Sequence, residues 1–495
     1  MASSAPQLLS PKRKFGLALW MARVLEECDH ASESFSPDPV HDLRVALRRC
    51  RSVADGMIAI DPAPDWKRMK KAGRELFRSL GSLRDVHVMQ EWVQRLGSHD
   101  DVVTVALMQH LAMRETECKQ QASGALANFD RKQWRKSSAI LPRRAARLRP
   151  GNAVFKHLAL ERWTQARELH RLALRNRSKV AFHNLRIGLK RFRYIVENFL
   201  PDQHAAWSGD LKEIQDLLGE VHDLDVLWAT ALQINAFPAL ESRSLWQMRV
   251  AGERGERIQK YRNKMVGKNS LWQVWRTSLP QGKEVRQVAL VRLKLWASIL
   301  DPDFHHSSHV TKLALQLYDG LPAGPQPENS PALDQRSILN LAALLHDVGR
   351  SKNEKQSHKA SYKLIGRLDS PLGCSAEELH LAAVISRYHQ GALPHAGQKT
   401  MRGLTVFQRQ IVLRLAGILR LADAFDASRD SRIQSLRVDC RNGFLEIKAD
   451  GYSPRDRLAE RIAAARHLLE VFYHQPVMIK PLAHKKTALQ LRSAE

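Results

Sequence analysis

Apolar residues recur every three to four positions through almost every segment up to about residue 283, and strict apolar–polar alternation is absent there. That spacing predicts helix after helix and no sheet. The pattern also repeats. HDLRVALRRCR begins at His41 and HNLRIGLKRFR at His183; LGSLRDVHV from Leu80 and LGEVHDLDV from Leu218 follow them in the same order. Two homologous helical halves closing one all-α domain are therefore expected. Between them RKQWRKSSAILPRRAARLRP, with Pro142 and Pro150, reads as a basic connection.

After residue 285 helical patterns continue, broken by the Pro/Gly loop GLPAGPQPENSPAL from Gly320. LRVDCRNGFLEIKAD then alternates on either side of Asn442-Gly443, which predicts a hairpin. RDRLAERIAAARHLLEVFYH follows as an amphipathic helix and PVMIKPL as a last strand. The expected class is mainly α. Two pseudo-symmetric helical-bundle halves occupy 10–285, an all-α domain 286–430, and a small α/β appendix 431–482.

On a helix at 100° per residue, His41, Arg44, Arg48 and Arg51 fall within an arc about 80° wide. Leu43, Ala46, Leu47 and Cys50 lie opposite. The second copy sets His183, Arg186, Lys190 and Arg193 against Leu185, Gly188, Leu189 and Phe192. One helix per half thus buries an apolar stripe and presents a histidine with three cations. Like charges four residues apart destabilise a helix by a few tenths of a kcal/mol per pair. A row repeated at the same angles asks for an anion, and arginine forks match phosphate oxygens.

Composition sharpens this. The 495 residues are too many for one core, and a formal charge of +27, spread over both sides of residue 285, points to a polyanion. Aromatic residues are 6%, with none on the cationic faces, so base stacking is disfavoured and a bare phosphate chain fits better than nucleic acid. Five scattered cysteines suit a reducing compartment and exclude a thiolate metal cluster. The N-terminal MASSAPQLLSPKRKFGLALW lacks a long apolar stretch, and no run approaches a membrane span. A cytoplasmic protein without membrane insertion is expected.

These paired His-x-x-Arg helices, each followed by a Leu-Gly…Asp…Val element, resemble the conserved histidine α-helical domain family (CHAD) over about residues 10–285. The second copy carries Asn184 where the first has Asp42. The resemblance implies two four-helix halves around a basic groove that binds inorganic polyphosphate. Its ligands would be His41, Arg44, Arg48, Arg51, His183, Arg186, Lys190 and Arg193. Asp85, Asp223 and Asp225 either orient these cations or close helix-end salt bridges.

A second constellation lies downstream. LAALLHDVGR sets His346 beside Asp347 at the end of an apolar helix, where Gly349 allows a stop. His309 lies upstream in SSHVTKLALQLY, and Asp423 in the apolar IVLRLAGILRLADAFD, where an unpaired carboxylate is costly. The ordered set His309…His346-Asp347…Asp423 is similar to the HD superfamily of metal-dependent phosphohydrolases. Nitrogen and oxygen ligands suit Mn, Fe, Mg or Zn. HKASYKLI from His358, SRYHQGALP from Ser386 and RLAGILRLADAFDAS resemble the C-terminal part of the exopolyphosphatase/guanosine pentaphosphatase family, over about 300–480.

From these resemblances His358 and His389 either complete a second metal position or hydrogen-bond phosphate, and Arg350 and Arg387 are candidate phosphate clamps. Asp347 and His389 join these arginines as candidate catalytic groups. Ala360 stands where that family often has another histidine, and the family's actin-like module has no counterpart in the sequence. Two functions are therefore weighed. One is a polyphosphate-binding metal-dependent phosphohydrolase acting on polyphosphate or a phosphorylated nucleotide. The other is a non-catalytic polyphosphate-binding or granule-associated protein whose HD domain senses a ligand.

Overall fold

A computed structural model describes residues 16–33, 35–324, 333–441 and 443–482. Asn442 of the expected hairpin turn and residues 325–332 of the Pro/Gly loop lie outside the described residues. The chain divides into two compact units, Met1–Glu284 and Val285–Glu495. Helix dominates both. The only strands among the described residues are three near the C-terminal end, so the class is mainly α with a small α/β part.

The first half of unit one contains α1 (Leu17–Glu33), α2 (Pro37–Ile58), α3 (Pro64–Ala72), α4 (Arg74–Leu96), α5 (Val102–Ala127) and α6 (Arg131–Ala145). The second contains α7 (Ala153–Asn176), α8 (Lys179–Phe199), α9 (Pro201–Gln233), α10 (Leu240–Met265) and α11 (Leu271–Thr277). Starts are set by local chemistry. Pro37, Pro64 and Pro201 open helices where the missing N–H costs nothing. Asp101, Asn152 and Ser178 cap backbone amides with their side chains.

The halves meet symmetrically: α2 packs on α8, and α4 on α9. Leu43, Leu47 and Cys50 are fully buried on α2, as are Leu185 and Phe192 on α8. The approach is close. A Cβ at Gly56 would clash with the Phe199 ring of α8. The basic stretch expected as a connection is instead the packed helix α6, lying on α1 and α3. Its apolar face, Trp134 and Leu141, is buried, and Trp134 donates to the Met21 carbonyl at 3.0 Å. Arg144 clamps Asp61 with two bonds of 2.7 Å. The dense charge of this stretch had masked its buried spacing.

Unit two opens with α12 (Lys283–Leu300) and α13 (Phe304–Gly320), then α14 (Gln335–Leu345), α15 (Ser357–Ile365), α16 (Ala376–Arg387) and α17 (Lys399–Arg402). The long α18 (Val406–Phe425) is its axis, with α13, α14 and α16 packed around it. Val412, Leu415, Leu419 and Ala422 are fully buried there. Then come β1 (Leu436–Arg441), β2 (Phe444–Ala449), α19 (Leu458–Ala465), α20 (His467–Tyr473) and β3 (Val477–Pro481). β1 pairs antiparallel with β2, Leu436 opposite Ala449, and β3 runs parallel to β2, Val477 opposite Leu445. The single amphipathic helix expected after the hairpin is broken into α19 and α20 at Arg466.

Candidate functional site

Each unit gathers its own cluster of charged side chains. In unit one, Arg44 and Arg48 of α2 approach Arg186 and Lys190 of α8 across the contact between the halves. Burial, then the neighbouring Arg186, Arg48 and Arg44, holds Lys190 at about 8. Burial likewise lowers Arg44, against the pull of Asp85. The Asp85 carboxyl on α4 is raised by burial despite Arg44, Arg186 and Lys190. Three buried donors in this cluster lack any hydrogen-bond partner among the described residues: Arg44 Nη1, Arg186 Nε and the Tyr194 hydroxyl. Such donors are rarely left unpaired, so the cluster is short of acceptors.

The Leu-Gly element has a local reason. A Cβ at Gly81 would sit 2.8 Å from Arg44 Nη1, so glycine makes room for the guanidinium. The remaining expected ligands spread outward. Arg51 donates to the Lys70 carbonyl at 2.8 Å and lies over Phe77. Arg193 acts on the charge of Tyr194 and Asp216. His41 is exposed. His183 Nδ1 lies 3.3 Å from His222 Nδ1, and burial, then Arg186, holds His222 at about 4.

Of the three aspartates weighed as orienters, Asp85 and Asp223 face the cations. Burial, reinforced by Asp85 and Glu220 against Arg186, raises Asp223 to about 6. Asp225 instead ties helices together through Arg254 at 3.0 Å and Lys179 at 3.7 Å. A cavity of about 380 Å³ beside the cluster is lined by Arg84, Trp92, Arg186, Glu220 and Asp223 among others.

In unit two, α13, the end of α14, the end of α16 and the end of α18 converge. Ligand-type atoms of His306, His346 and Asp423 lie within 4.8 Å of one another, as do those of His346, Asp347 and His389. All five residues are buried. His346 Nδ1 bonds the Ala343 carbonyl at 2.7 Å, and His389 Nδ1 bonds the Ser386 carbonyl at 2.7 Å. A carbonyl accepts only, so each Nδ1 carries the proton. His389, kept neutral by burial, presents a lone pair at Nε2. Burial opposes charge on His346 too, but Asp423, 3.6 Å from its Nε2, together with Asp347 raises that ring. Both Nε2 atoms are buried with no hydrogen-bond partner.

His306 bridges Asp426 at 2.7 Å and Asp423 at 3.2 Å. Burial opposes its charge, but these two bonds outweigh it and raise His306 to about 9. Burial pushes the Asp347 carboxyl up, yet His346, His389 and Arg429 hold it at about 2. Burial and then His346 hold His389 at about 4. Gln390 donates to Asp423 at 3.3 Å.

One expected ligand is displaced. His309 turns to the Ile433 carbonyl at 2.9 Å, and His306, one turn earlier, stands with His346 and Asp423 instead. The helical period explains it. His306 is centred on the stripe of Val310, Leu313 and Leu317 that faces the core, whereas His309 sits about 60° to one side.

His358 lies near His389, ring centroids 6.3 Å apart, and Gly391, at φ +72, leaves space beside it. Burial, then Arg387, lowers His358. Arg387 lies over Tyr388 with Nη1 buried and unpartnered. Arg350 is paired with Glu354 at 3.1 Å. The sequence reading missed His306, Asp426, Arg429 and, in unit one, Tyr194. Asp426 had a signal, lying three residues after Asp423 at the same helix end; Arg429 had none.

Comparison with known families falls on the same two units. Residues 20–232 match the CHAD domain, and residues 285–450 match Ppx/GppA phosphatase, domain III. The chain is also similar to a solved structure of the CHAD domain from the plant Ricinus communis, at 19% identity and a TM-score of 0.37. That match covers 53% of this chain and 89% of that chain. The association of these two domains points to phosphatase-like chemistry on polyphosphate or nucleotide phosphates.

Proposed function

We propose that the chain is a polyphosphate-binding, divalent-metal-dependent phosphohydrolase of the HD type, cleaving a phosphoanhydride or phosphoester in unit two. The observation that supports it most is the pair of buried Nε2 atoms on His346 and His389 that make no hydrogen bond among the described residues, each ring fixed by its own helical turn. A buried polar atom without a partner costs about 1–3 kcal/mol. Two of them beside Asp347 and Asp423 make sense as ligands, because metal-binding histidines characteristically give their other ring nitrogen to a carbonyl or carboxylate.

His306, His346, Asp347 and Asp423 would hold the ion, with Asp426 orienting His306 through Nδ1. Manganese, iron, magnesium and zinc all accept such donors. A bound divalent cation supplies an acidified water and charge for the phosphoryl oxygens. His389 offers a neutral imidazole nitrogen beside that position, for a proton or a second ion. Arg387 stands ready for a phosphate oxygen, and Arg350 reaches one only by leaving Glu354.

Unit one supplies the substrate-gripping surface. Arg44, Arg48, Arg186 and Lys190, with the Tyr194 hydroxyl, would take polyphosphate oxygens, and the outer His41, Arg51, His183 and Arg193 would extend the track. The domains run 10–285, 286–430 and 431–482, and the protein works in the cytoplasm on or near polyphosphate granules. The decisive test is a metal-supplemented phosphate-release screen over polyphosphate, guanosine polyphosphates and cyclic nucleotides. Release by wild type that disappears in His346→Ala is expected. Release that persists in that variant overturns the site, and metal uptake without turnover of any substrate makes unit two a ligand sensor.

A further inference from the structure

Arg429 lies beside the unit-two cluster and has no role in the reading above. It lies three residues after Asp426, in the segment between α18 and β1, with its backbone in the left-handed region at φ +59. A non-glycine residue pays strain for that conformation and keeps it only where its surroundings insist. Its guanidinium spans Asp347 at 2.6 Å and Asp303 at 2.8 Å. Two residues on, Ser431 is also left-handed, at φ +52, and its amide donates to Asp426 at 2.8 Å. The segment is thus pinned to the cluster at two points, with Arg429 still a quarter exposed.

Charge gives the pairing its meaning. Asp303, Asp347, Asp423 and Asp426 crowd this end of unit two, and Arg429 is the cation that bonds Asp347. Asp347 is 1% exposed, so it needs a positive partner at all times. A divalent cation on the same carboxylate weakens the guanidinium bond by sharing its charge and repelling the arginine. The released fork has the planar donor pair that matches two phosphoryl oxygens. Only a partly exposed side chain at the rim can make that exchange.

We infer that Arg429 is an exchangeable counter-ion: it pairs with Asp347 in the metal-free protein and turns to a phosphoryl oxygen of the substrate once a divalent cation takes that carboxylate. This rests on the metal reading above and adds a substrate-binding residue to it. The two roles have opposite signatures. Arg429 competes with the metal but supports the phosphate, so its removal tightens one and weakens the other. A purely structural arginine, holding Asp347 in place, weakens both.

The test uses the full chain and Arg429→Gly, which removes the fork while favouring the left-handed backbone. Mn²⁺ affinity is measured by titration calorimetry, and inorganic phosphate by ³¹P line broadening, which reports phosphate close to protein-bound Mn²⁺. Mn²⁺ binding about three- to tenfold tighter, with phosphate about tenfold weaker, is expected, since a bond to a charged group is worth about 1.5–3 kcal/mol and 1.4 kcal/mol is tenfold. Arg429→Lys, which keeps the charge but not the fork, should restore Mn²⁺ affinity towards wild type and only part of the phosphate affinity; it also carries the test if the glycine variant is unstable. Mn²⁺ binding that is unchanged or weaker in Arg429→Gly, or phosphate binding that is unchanged, overturns the inference and leaves the metal site standing. Wild type that binds no Mn²⁺ overturns the metal reading, and this inference with it.

Discussion

The two clusters both bury polar atoms without partners among the described residues, but in different mixtures. In unit one they are donors: Arg44 Nη1, Arg186 Nε and the Tyr194 hydroxyl. In unit two they include the ring nitrogens Nε2 of His346 and His389, whose Nδ1 atoms already donate to carbonyls, beside one donor, Arg387 Nη1. A donor without an acceptor calls for an anion, and a lone pair without a proton calls for an electrophile. The surroundings agree. Cations outnumber Asp85 and Asp223 at the first cluster, whereas four carboxylates outnumber Arg429 and His306 at the second. On the proposed reading, the first site would select by charge and tolerate many bond geometries, whereas metal binding at the second would select by ligand number and direction.

Breaking the first site should give the largest effect. Reversing Arg44, Arg48, Arg186 and Lys190 together to glutamate is expected to lower polyphosphate affinity by about a thousandfold or more, from charge-assisted bonds worth about 1.5–3 kcal/mol each. Filter binding measures it, with circular dichroism to show that helicity survives. Affinity within tenfold of wild type would remove the groove from the account. Wild-type binding should also weaken steeply as salt rises, because phosphate contacts release counterions.

The next largest loss belongs to unit two. His346→Ala and Asp347→Ala should each cut divalent-metal retention about hundredfold, read by elemental analysis after loading and dialysis, with polyphosphate affinity untouched. Equal metal content in wild type and variants would refute the centre. Asp426→Asn weakens the orienting bond to His306 while its side-chain oxygen can still accept from the Ser431 amide, so a loss nearer tenfold is expected.

Smaller effects come from pH. Below about pH 6 Asp223 is neutral and Lys190 charged, so the groove is at its most positive. Rising through about 6 adds the Asp223 charge, and rising through about 8 removes that of Lys190. Polyphosphate affinity should fall about three- to tenfold at each step, and Asp223→Asn should abolish the lower one. A flat profile between pH 5 and 9 would show that neither group senses the ligand. The smallest effect is expected from cutting the chain after Glu284. Each compact unit has its own buried core, so the separated pieces should keep their ligand affinities within about twofold. Aggregation of the first piece alone would contradict that independence.

The mainly helical class and the doubled motif were legible because each is a periodic signal, repeated over many residues. So were His346, Asp347, Asp423 and His389, polar residues in stretches that otherwise want burial. Near misses have physical causes. His306 and His309 differ by one helical turn, and the choice between them needed the phase of the apolar stripe rather than its existence. The helix α6 hid behind its basic residues, because Trp134 and Leu141 were too few to outweigh them by eye. Arg429 was illegible for a different reason: its role depends on a left-handed backbone after the end of α18, which nothing in ASRDSR announces.

The symmetric meeting of α2 with α8 has a consequence for what the groove can read. Arg44 and Arg186 come from equivalent positions of the two halves, as do Arg48 and Lys190, so a ligand arriving from either end meets nearly the same order of cations. A strand of nucleic acid has a direction and would be presented wrongly half of the time. A chain of identical phosphates has none: reversed end for end, it is the same molecule. If the cluster holds polyphosphate as proposed, either orientation would be productive, and one segment could be released and the next taken without ever having to turn the polymer around.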